Sequence, residues 1–405
     1  MLARLKAFPG EILHVTSEYP PIHFGGLGTA VAGLTRALGE AGAHVAVLLV
    51  QGGGYGYYGY AYGFDAARGQ RSRPAGVAVT RAGVEQLQVS YAEGVSIAPL
   101  LAAIRRPQIV HLHSSWLWPI ATAIREATGV PIVYTAHSID RAEVEHGEWL
   151  SHGSIQDLVF AEADRVVVLS QSEREYVVRH YPALVERICV VGNGVHLTPS
   201  PPVKRHRRNG AVVLYVGRFG TRKGVRDVIE AVPDIARGLP AARFVFVGGS
   251  SPDDGPTEAA AWVPPHLRAH LRRMTFLGWQ DASSNATRDW YTSGDVLVVP
   301  SRYEPFGMVV LEGMLRGQAI VAADTGGPSE LLRHERTALL YPAGDVDALA
   351  SALVRMLGDV RLRRRLGVAA RAEVRARWAW PRVLPALLGA YTQAREACAG
   401  HRART

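Results

Sequence analysis

Short apolar runs alternate with helix-length amphipathic segments along this chain, and the alternation occurs twice. The first series begins with a predicted strand at residues 11–16 and ends at 187–191, and the second runs from 211–216 to 338–341. Such alternation favours two doubly wound α/β domains, each with a mostly parallel sheet covered by helices on both faces. A length of 405 residues also exceeds what one hydrophobic core usually supports.

A segment rich in proline and charge, residues 198–209, separates the two series and predicts an inter-domain linker. We therefore predict an N-terminal domain over residues 1–197 and a second domain over 210–380. Pro381 should set a helix boundary, and the final helix within 381–405, apolar on one face, is expected to cross back onto the first domain. Residues 52–64, rich in glycine and tyrosine, predict either an exposed surface loop or a surface that stacks on a sugar or base.

Composition narrows the class of function. Apolar residues make up 48% and charged residues 20% of the chain, as is typical of soluble globular proteins. No membrane span or signal peptide is predicted, and two cysteines fit a reducing cytoplasm. The net charge of +9 favours anionic ligands or an anionic membrane surface. Nucleic acid is not expected as a partner, because arginine-rich helical runs near the end are typical of solvated faces.

Residues 301–312, S-R-Y-E-P-F-G-M-V-V-L-E, follow a predicted buried strand and lead into a predicted helix. Pro305 and Gly307 should keep Glu304 on the connecting loop and place Glu312 about one turn into the helix. The loop leaves the carboxyl end of a strand, where open α/β sheets bind their ligands. A carboxylate beside the free N–H groups of a helix N-terminus suits a ligand rich in hydroxyl groups.

Two further loops occupy the corresponding ends of other predicted strands. The run Gly25-Gly26-Leu27-Gly28 opens a helix and predicts an anion site, or else a tight turn without a ligand. It lacks the pattern and the acidic residue of a nicotinamide dinucleotide site. In the second domain, Arg218 and Lys223 predict a diphosphate site without metal, with ordinary surface charge as the alternative.

Histidines end predicted strands of the first domain. His137 follows a buried strand and is predicted to contact substrate, with a structural role as the alternative. His111 and His113 alternate on another strand, but no third ligand is evident from spacing, so no metal is predicted. Asp345, in a D-V-D sequence, is predicted to cap a helix.

In these residues the chain resembles the retaining nucleotide-sugar glycosyltransferases of family 4, which have the GT-B fold. The resemblance rests on the E-x7-E loop of Glu304 and Glu312, on V-G-R-F-G-T-R-K-G, G-N-G-V and A-D-T-G-G-P-S-E in and around the second domain, and on F-G-G-L-G and T-A-H-S in the first. It implies two Rossmann-like domains facing a cleft, a nucleotide-diphosphate sugar as donor and a hydroxyl acceptor.

The resemblance also implies roles for individual residues. Arg218 and Lys223 would hold the diphosphate, Glu304 the sugar hydroxyls, and His137 the transferred sugar; these four form the predicted catalytic set. The other donor-binding residues would be Gly25, Gly26, Phe306, Gly307, Met308, Val309 and Glu312, with Glu312 on the ribose. Acceptor-binding residues would be Glu18, His23, Ser114 and Trp116. The implied reaction is front-side displacement with no metal and no cofactor.

Two departures bear on the acceptor. His23 stands where glycogen and starch synthases have a lysine, and Ser114 and Ser115 replace the aspartate of their H-x-H-D-W segment. As an acceptor, a natural-product core, inositol or a short oligosaccharide therefore fits at least as well as a growing α-glucan chain. A lipid acceptor at a membrane surface and a non-catalytic binding protein are further alternatives.

Overall fold

The computed structural model describes residues 10–20, 25–51, 79–81, 84–90, 107–148, 155–197, 211–251, 253–280, 289–291 and 293–402. Three predictions lie outside these residues: His23, the glycine- and tyrosine-rich stretch at 52–64 and the linker at 198–209. Within the described residues, no helix is both long enough and apolar enough to cross a membrane.

The first sheet contains eight strands in the order β3-β4-β2-β1-β5-β6-β7-β8. Only β3 runs antiparallel to its neighbour β4, and the other pairs are parallel. Sequence patterns missed β3, a three-residue edge strand. The strands are β1 (Glu11–Thr16), β2 (His44–Gln51), β3 (Val79–Arg81), β4 (Val84–Ser90), β5 (Ile109–Leu112), β6 (Ile132–Ala136), β7 (Arg165–Val168) and β8 (Ile188–Val190).

The second sheet is six-stranded and wholly parallel, in the order β11-β10-β9-β12-β13-β14. Its strands are β9 (Val212–Val216), β10 (Arg243–Val247), β11 (Met274–Phe276), β12 (Val296–Val299), β13 (Ala319–Ala323) and β14 (Leu339–Tyr341). Each begins and ends within two residues of the predicted strand, because buried parallel strands are continuous apolar runs that sequence shows clearly.

Helices connect these strands and cover the sheets. They are α1 (Gly26–Glu40), α2 (Trp118–Thr128), α3 (Asp140–Glu145), α4 (Gln156–Glu162), α5 (Gln171–His180), α6 (Val225–Gly238), α7 (Pro256–Ala260), α8 (Met308–Arg316), α9 (Gly326–Leu331), α10 (Val346–Gly358), α11 (Val360–Arg377) and α12 (Trp380–Arg402). The side chain of Asp345 accepts a hydrogen bond from the Ala348 N–H at 2.9 Å, which confirms that it caps α10.

Successive residues of a strand face opposite sides of each sheet and enter different hydrophobic cores. In β9, Val213 packs with α6 and α10, whereas Leu214 packs with α8 and α11. In β1, Leu13 and Ile12 likewise enter separate cores. Both sheets are therefore covered on both faces, which confirms the predicted fold class of two doubly wound α/β units. We call β1–β8 with α1–α5 the first lobe and β9–β14 with α6–α11 the second lobe.

The last described helix, α12, packs on the first lobe. Its residues Leu384, Leu387 and Tyr391 are at most 2% exposed and lie in one core with Ile12 and Ile109 of the first sheet. Helix α11 ends at Arg377 and α12 begins at Trp380, so the boundary predicted from Pro381 is confirmed.

Candidate active site

The loop between β12 and α8 has the form that its proline and glycine predict. Glu304 lies on the loop, Gly307 precedes the first helical residue, and Glu312 is the fifth residue of α8. Gly307 has φ of 102°, in the left-handed region that favours glycine. Gly327 lies directly against the backbone of Phe306, where a Cβ atom would come within 2.2 Å of the carbonyl oxygen. The glycines of A-D-T-G-G thus let α9 pack against this loop.

Glu304 and Lys223 form an ion pair at the carboxyl edge of the second sheet. The Lys223 Nζ lies 2.5 Å from Glu304 Oε2, and the Ser301 hydroxyl donates to the same oxygen at 3.2 Å. Their side chains are only 20% and 13% exposed. Burial would raise the pKa of Glu304, but the charges of Lys223 and Arg222 hold it below its ordinary value. Glu304 is therefore ionised at neutral pH.

Two further cations, Arg218 and Arg222, act electrostatically on this ion pair. Burial lowers the pKa of Lys223, the charge of Glu304 opposes that shift, and the positive charges of Arg222 and Arg218 add to it. The hydroxyl of Tyr215 donates to the carbonyl oxygen of Arg218 at 2.8 Å and fixes the backbone there. The structure therefore brings Lys223 and Glu304 into direct contact, and the charge of Arg218 acts on Lys223.

Glu312 lies apart from this pair, beside Tyr291 and Arg316. Burial raises the pKa of Glu312, and the Tyr291 hydroxyl and the Arg316 charge partly offset that shift. The guanidinium of Arg316 stacks over the Tyr291 ring at 4.5 Å and also donates to the carbonyl oxygen of Glu312 at 3.0 Å. Two carboxylates from one motif thus occupy different electrostatic environments.

The N-termini of two helices, one from each lobe, meet across the cleft. Gly26 begins α1, and a Cβ atom there would contact Met308, the first residue of α8, at 3.5 Å. A Cβ on Gly25 would meet nothing within 4 Å. Because helix N-termini carry free N–H groups and the positive end of the helix dipole, this arrangement favours an anionic ligand.

The remaining predicted acceptor residues divide between these elements. The Glu18 carboxylate accepts from the Gly28 N–H at 3.3 Å, at the start of α1. The hydroxyls of Ser114 and Ser17 lie 2.9 Å apart, and half-buried Trp116 packs against the first-lobe core. Phe306 is buried, and Met308 and Val309 are half-buried in the second-lobe core.

His137 follows β6 and is hydrogen-bonded to a cluster of buried histidines. Its Nε2 lies 3.0 Å from His113 Nδ1, and His113 Nε2 lies 2.8 Å from His14 Nδ1. Burial lowers the pKa of His14 to about 3 and of His137 to about 4, and that of His113 falls well below its ordinary value. All three rings are therefore neutral at physiological pH.

Sequence reasoning missed His14. Among the described residues, His14, His111 and His113 each place one ring nitrogen within 4.8 Å of the others, a spacing compatible with a metal ion. However, hydrogen bonds already occupy both nitrogens of His111, to Tyr391 at 2.6 Å and Thr135 at 2.7 Å. In the sequence, His14 stands out only as a polar residue within the apolar run I-L-H-V. Its contact with His113 could not be predicted, because local sequence patterns do not show how β1 pairs with β5.

Two second-lobe side chains that sequence reasoning missed reach into the first lobe. Arg222 lies 3.0 Å from Glu143. The Tyr303 hydroxyl accepts from the Ile139 N–H at 3.1 Å and donates to Glu173 at 3.2 Å. Tyr303 therefore holds the Glu304 loop next to the segment that follows His137. In the sequence, Arg222 is next to Lys223 and Tyr303 is next to Glu304. This adjacency to predicted site residues is the one feature that could have identified them.

Comparison with known proteins identifies the family of this chain. Residues 24–198 match the family model described as Glycosyltransferase Family 4, and residues 210–359 match the model described as Glycosyl transferases group 1. The chain is 30% identical over 306 residues to a D-inositol 3-phosphate glycosyltransferase of Rhodococcus opacus, covering 71% of this chain and 67% of that protein. It is 28% identical to a glycogen synthase of Mycobacterium tuberculosis over 95% of both chains.

Solved structures share the fold. A sucrose-phosphate synthase from Thermosynechococcus elongatus superposes with a TM-score of 0.72 at 23% identity, over 95% of this chain and 98% of that one. The Anabaena protein HepE, solved in complex with UDP-glucose, gives 0.67 at 18% identity, over 96% and 100%. The chain therefore belongs to the family 4 glycosyltransferases, with the GT-B fold.

Proposed function

We propose that this protein is a retaining hexosyltransferase that moves a sugar from a nucleotide diphosphate to a hydroxyl acceptor without a metal ion. The observation that carries the proposal is the Lys223–Glu304 ion pair, with Arg218 and Arg222 beside it, at the strand ends that face the first lobe. In this proposal Lys223 exchanges Glu304 for the donor diphosphate when the donor binds. Glu304 is then left to accept hydrogen bonds from sugar hydroxyls.

The proposed chemistry is a front-side displacement. The acceptor oxygen forms a bond to the anomeric carbon on the face from which the carbon–oxygen bond to the diphosphate breaks. A departing phosphate oxygen takes the acceptor proton, so the enzyme supplies no general base. Arg218 and Lys223 stabilise the negative charge that develops on the diphosphate, and this is the largest contribution we assign to the protein.

Residues from both lobes contribute to the proposed donor site. Glu312 accepts hydrogen bonds from the ribose, the start of α8 faces the sugar, and Gly25 and Gly26 bring α1 N–H groups to the phosphates. His137 contacts the transferred sugar. The division into residues 1–197, a linker and 210–380, with the final helix on the first domain, is part of this proposal, as is a cytoplasmic location.

We propose UDP-glucose, or a closely related donor, because HepE was solved with it and shares the fold. For the acceptor, the inositol phosphate glycosyltransferase relative and the net charge of +9 favour a small phosphorylated alcohol. The glycogen synthase relative, similar over 95% of both chains, supports α-glucan as the second candidate. Glu18, His23, Ser114 and Trp116 are the residues we propose to contact either acceptor.

The test has two stages. Thermal shift with UDP, ADP, GDP and TDP sugars identifies the donor, and that donor is then offered to inositol phosphate, glucose phosphate and maltooligosaccharides. NMR of the product reads the anomeric configuration. We expect stabilisation by one nucleotide sugar and a product with the donor's configuration. An inverted product would overturn the mechanism, and an absence of stabilisation by every donor would overturn the proposed function.

A further inference from the structure

Three histidines on neighbouring strands of the first sheet form a continuous hydrogen-bonded chain that ends at the cleft. His14 lies within β1, His113 follows β5, and His137 follows β6. The order β1-β5-β6 in the sheet brings their rings together. The backbone N–H of His113 donates to the backbone carbonyl oxygen of Val15 at 2.9 Å, which fixes His113 beside β1. His14 is fully buried and His137 is half-buried. The chain thus runs from the protein interior to the predicted substrate contact.

The arrangement of protons in this chain follows from counting. A neutral imidazole carries one proton, and each nitrogen–nitrogen contact needs one donor and one acceptor. His113 uses both ring nitrogens within the chain, so it donates to one neighbour and accepts from the other. Only two arrangements satisfy both contacts. Either every proton points towards His137, or every proton points towards His14.

The buried end of the chain selects between them. His14 Nε2 is buried and has no hydrogen-bond partner among the described residues. A cavity of about 20 Å³ borders His113 and His137, but His14 is not among the residues that line it. If the protons pointed towards His14, an N–H would be buried there without an acceptor, and such groups are rare in folded proteins. The opposite arrangement leaves only a lone pair.

We propose that His14 and His113 are positioning residues that hold His137 as the Nδ1–H tautomer, with its Nε2 accepting from His113. His137 then presents a hydrogen-bond donor, and not an acceptor, to the ligand. This inference rests on the proposed function for its consequence, which is that the sugar or phosphate group opposite His137 must offer an oxygen lone pair. It also excludes His137 as a general base through Nδ1.

Tautomers are read directly by two-bond ¹H–¹⁵N correlation of the imidazole rings in ¹⁵N-labelled protein, with the His137 signals assigned from a His137→Gln variant. We expect the wild-type His137 proton on Nδ1. His14→Asp replaces the donor at the buried end by an acceptor, so His113 must donate to it from Nε2, and we expect His137 Nε2–H to appear. We also expect kcat/KM to fall by about tenfold, the size of one lost hydrogen bond to the ligand, with nucleotide affinity unchanged.

His14→Asn is the matched control, because its amide N–H can occupy the position of Nδ1–H and should restore both the tautomer and the activity. A wild-type proton on His137 Nε2 would overturn the proposal, even if His14→Asp does not fold. So would stoichiometric metal in the purified protein, which would make the cluster a metal centre. If His137 carries Nδ1–H but no sugar is transferred, the proposed function fails and the positioning role stands.

Discussion

Replacing Lys223 by alanine tests the proposed catalytic charge most directly. A cation about 4 Å from a departing phosphate oxygen contributes roughly 4 kcal/mol at an effective dielectric constant of about 20, which suits a side chain that is 20% exposed. That energy corresponds to about a thousandfold in rate. Arg218 and Arg222 remain nearby and offset part of the loss, so we expect kcat/KM to fall by about 10²- to 10³-fold.

The same substitution leaves Glu304 without its closest cation. Ser301 and Arg222 still stabilise the carboxylate, so we expect the free energy of unfolding to fall by roughly 1–3 kcal/mol with the fold retained. Glu304→Gln in the Lys223→Ala background should recover part of this stability, because it removes the uncompensated charge, while activity stays low. This difference separates a catalytic role of Lys223 from a structural one.

Initial rates with the identified donor, together with urea unfolding, provide the assay. Arg226→Ala is the matched control, since it removes one positive charge from an exposed position in the first turn of α6, three residues further along the chain. We expect this variant to keep wild-type kcat/KM. A Lys223→Ala enzyme within about threefold of wild type would refute the diphosphate role, because that corresponds to less than 1 kcal/mol.

Three further predictions follow from the site. Glu312→Ala should weaken binding of free UDP by about tenfold, the loss of one or two hydrogen bonds, and unchanged affinity in calorimetric titration would remove the ribose role. Activity should persist in excess EDTA, whereas its abolition, with recovery on adding a divalent ion, would contradict the metal-free mechanism. Burial raises the pKa of Glu173 to about 8, so it is protonated when folded at pH 7 and ionised when unfolded. The Glu173 carboxyl therefore makes its full contribution to the free energy of unfolding below its unfolded pKa. That contribution falls by roughly 1.4 kcal/mol per pH unit as the pH rises, until the pH has passed about 8. Urea unfolding at several pH values should show this slope in wild type and a smaller one in Glu173→Gln; equal slopes would contradict it.

Local patterns predicted the strands of the second sheet and the Glu304 loop because each depends on residues close together in sequence. Pro305 and Gly307 determine where α8 begins, whatever the rest of the chain does. The edge strand β3 was missed because three residues carry too little alternation to distinguish a strand from a loop.

Contacts between the lobes could not be predicted in this way. Tyr303 and Glu173 are 130 residues apart, and their hydrogen bond depends on how the two sheets face each other. The link between His14 and His113 depends likewise on strand order, since β1 and β5 become neighbours only in the assembled sheet. Sequence identified residues at the strand ends, whereas the partners of those residues depend on topology.

Helix α12 has a consequence for synthesis on the ribosome. The first sheet is translated early, yet Leu384, Leu387 and Tyr391, which cover one of its faces, are translated only after the second lobe. The nascent first lobe must therefore keep an apolar surface uncovered while the whole second lobe is made. Production of the first lobe as a separate fragment should then require α12 to be supplied, either fused to it or as a peptide.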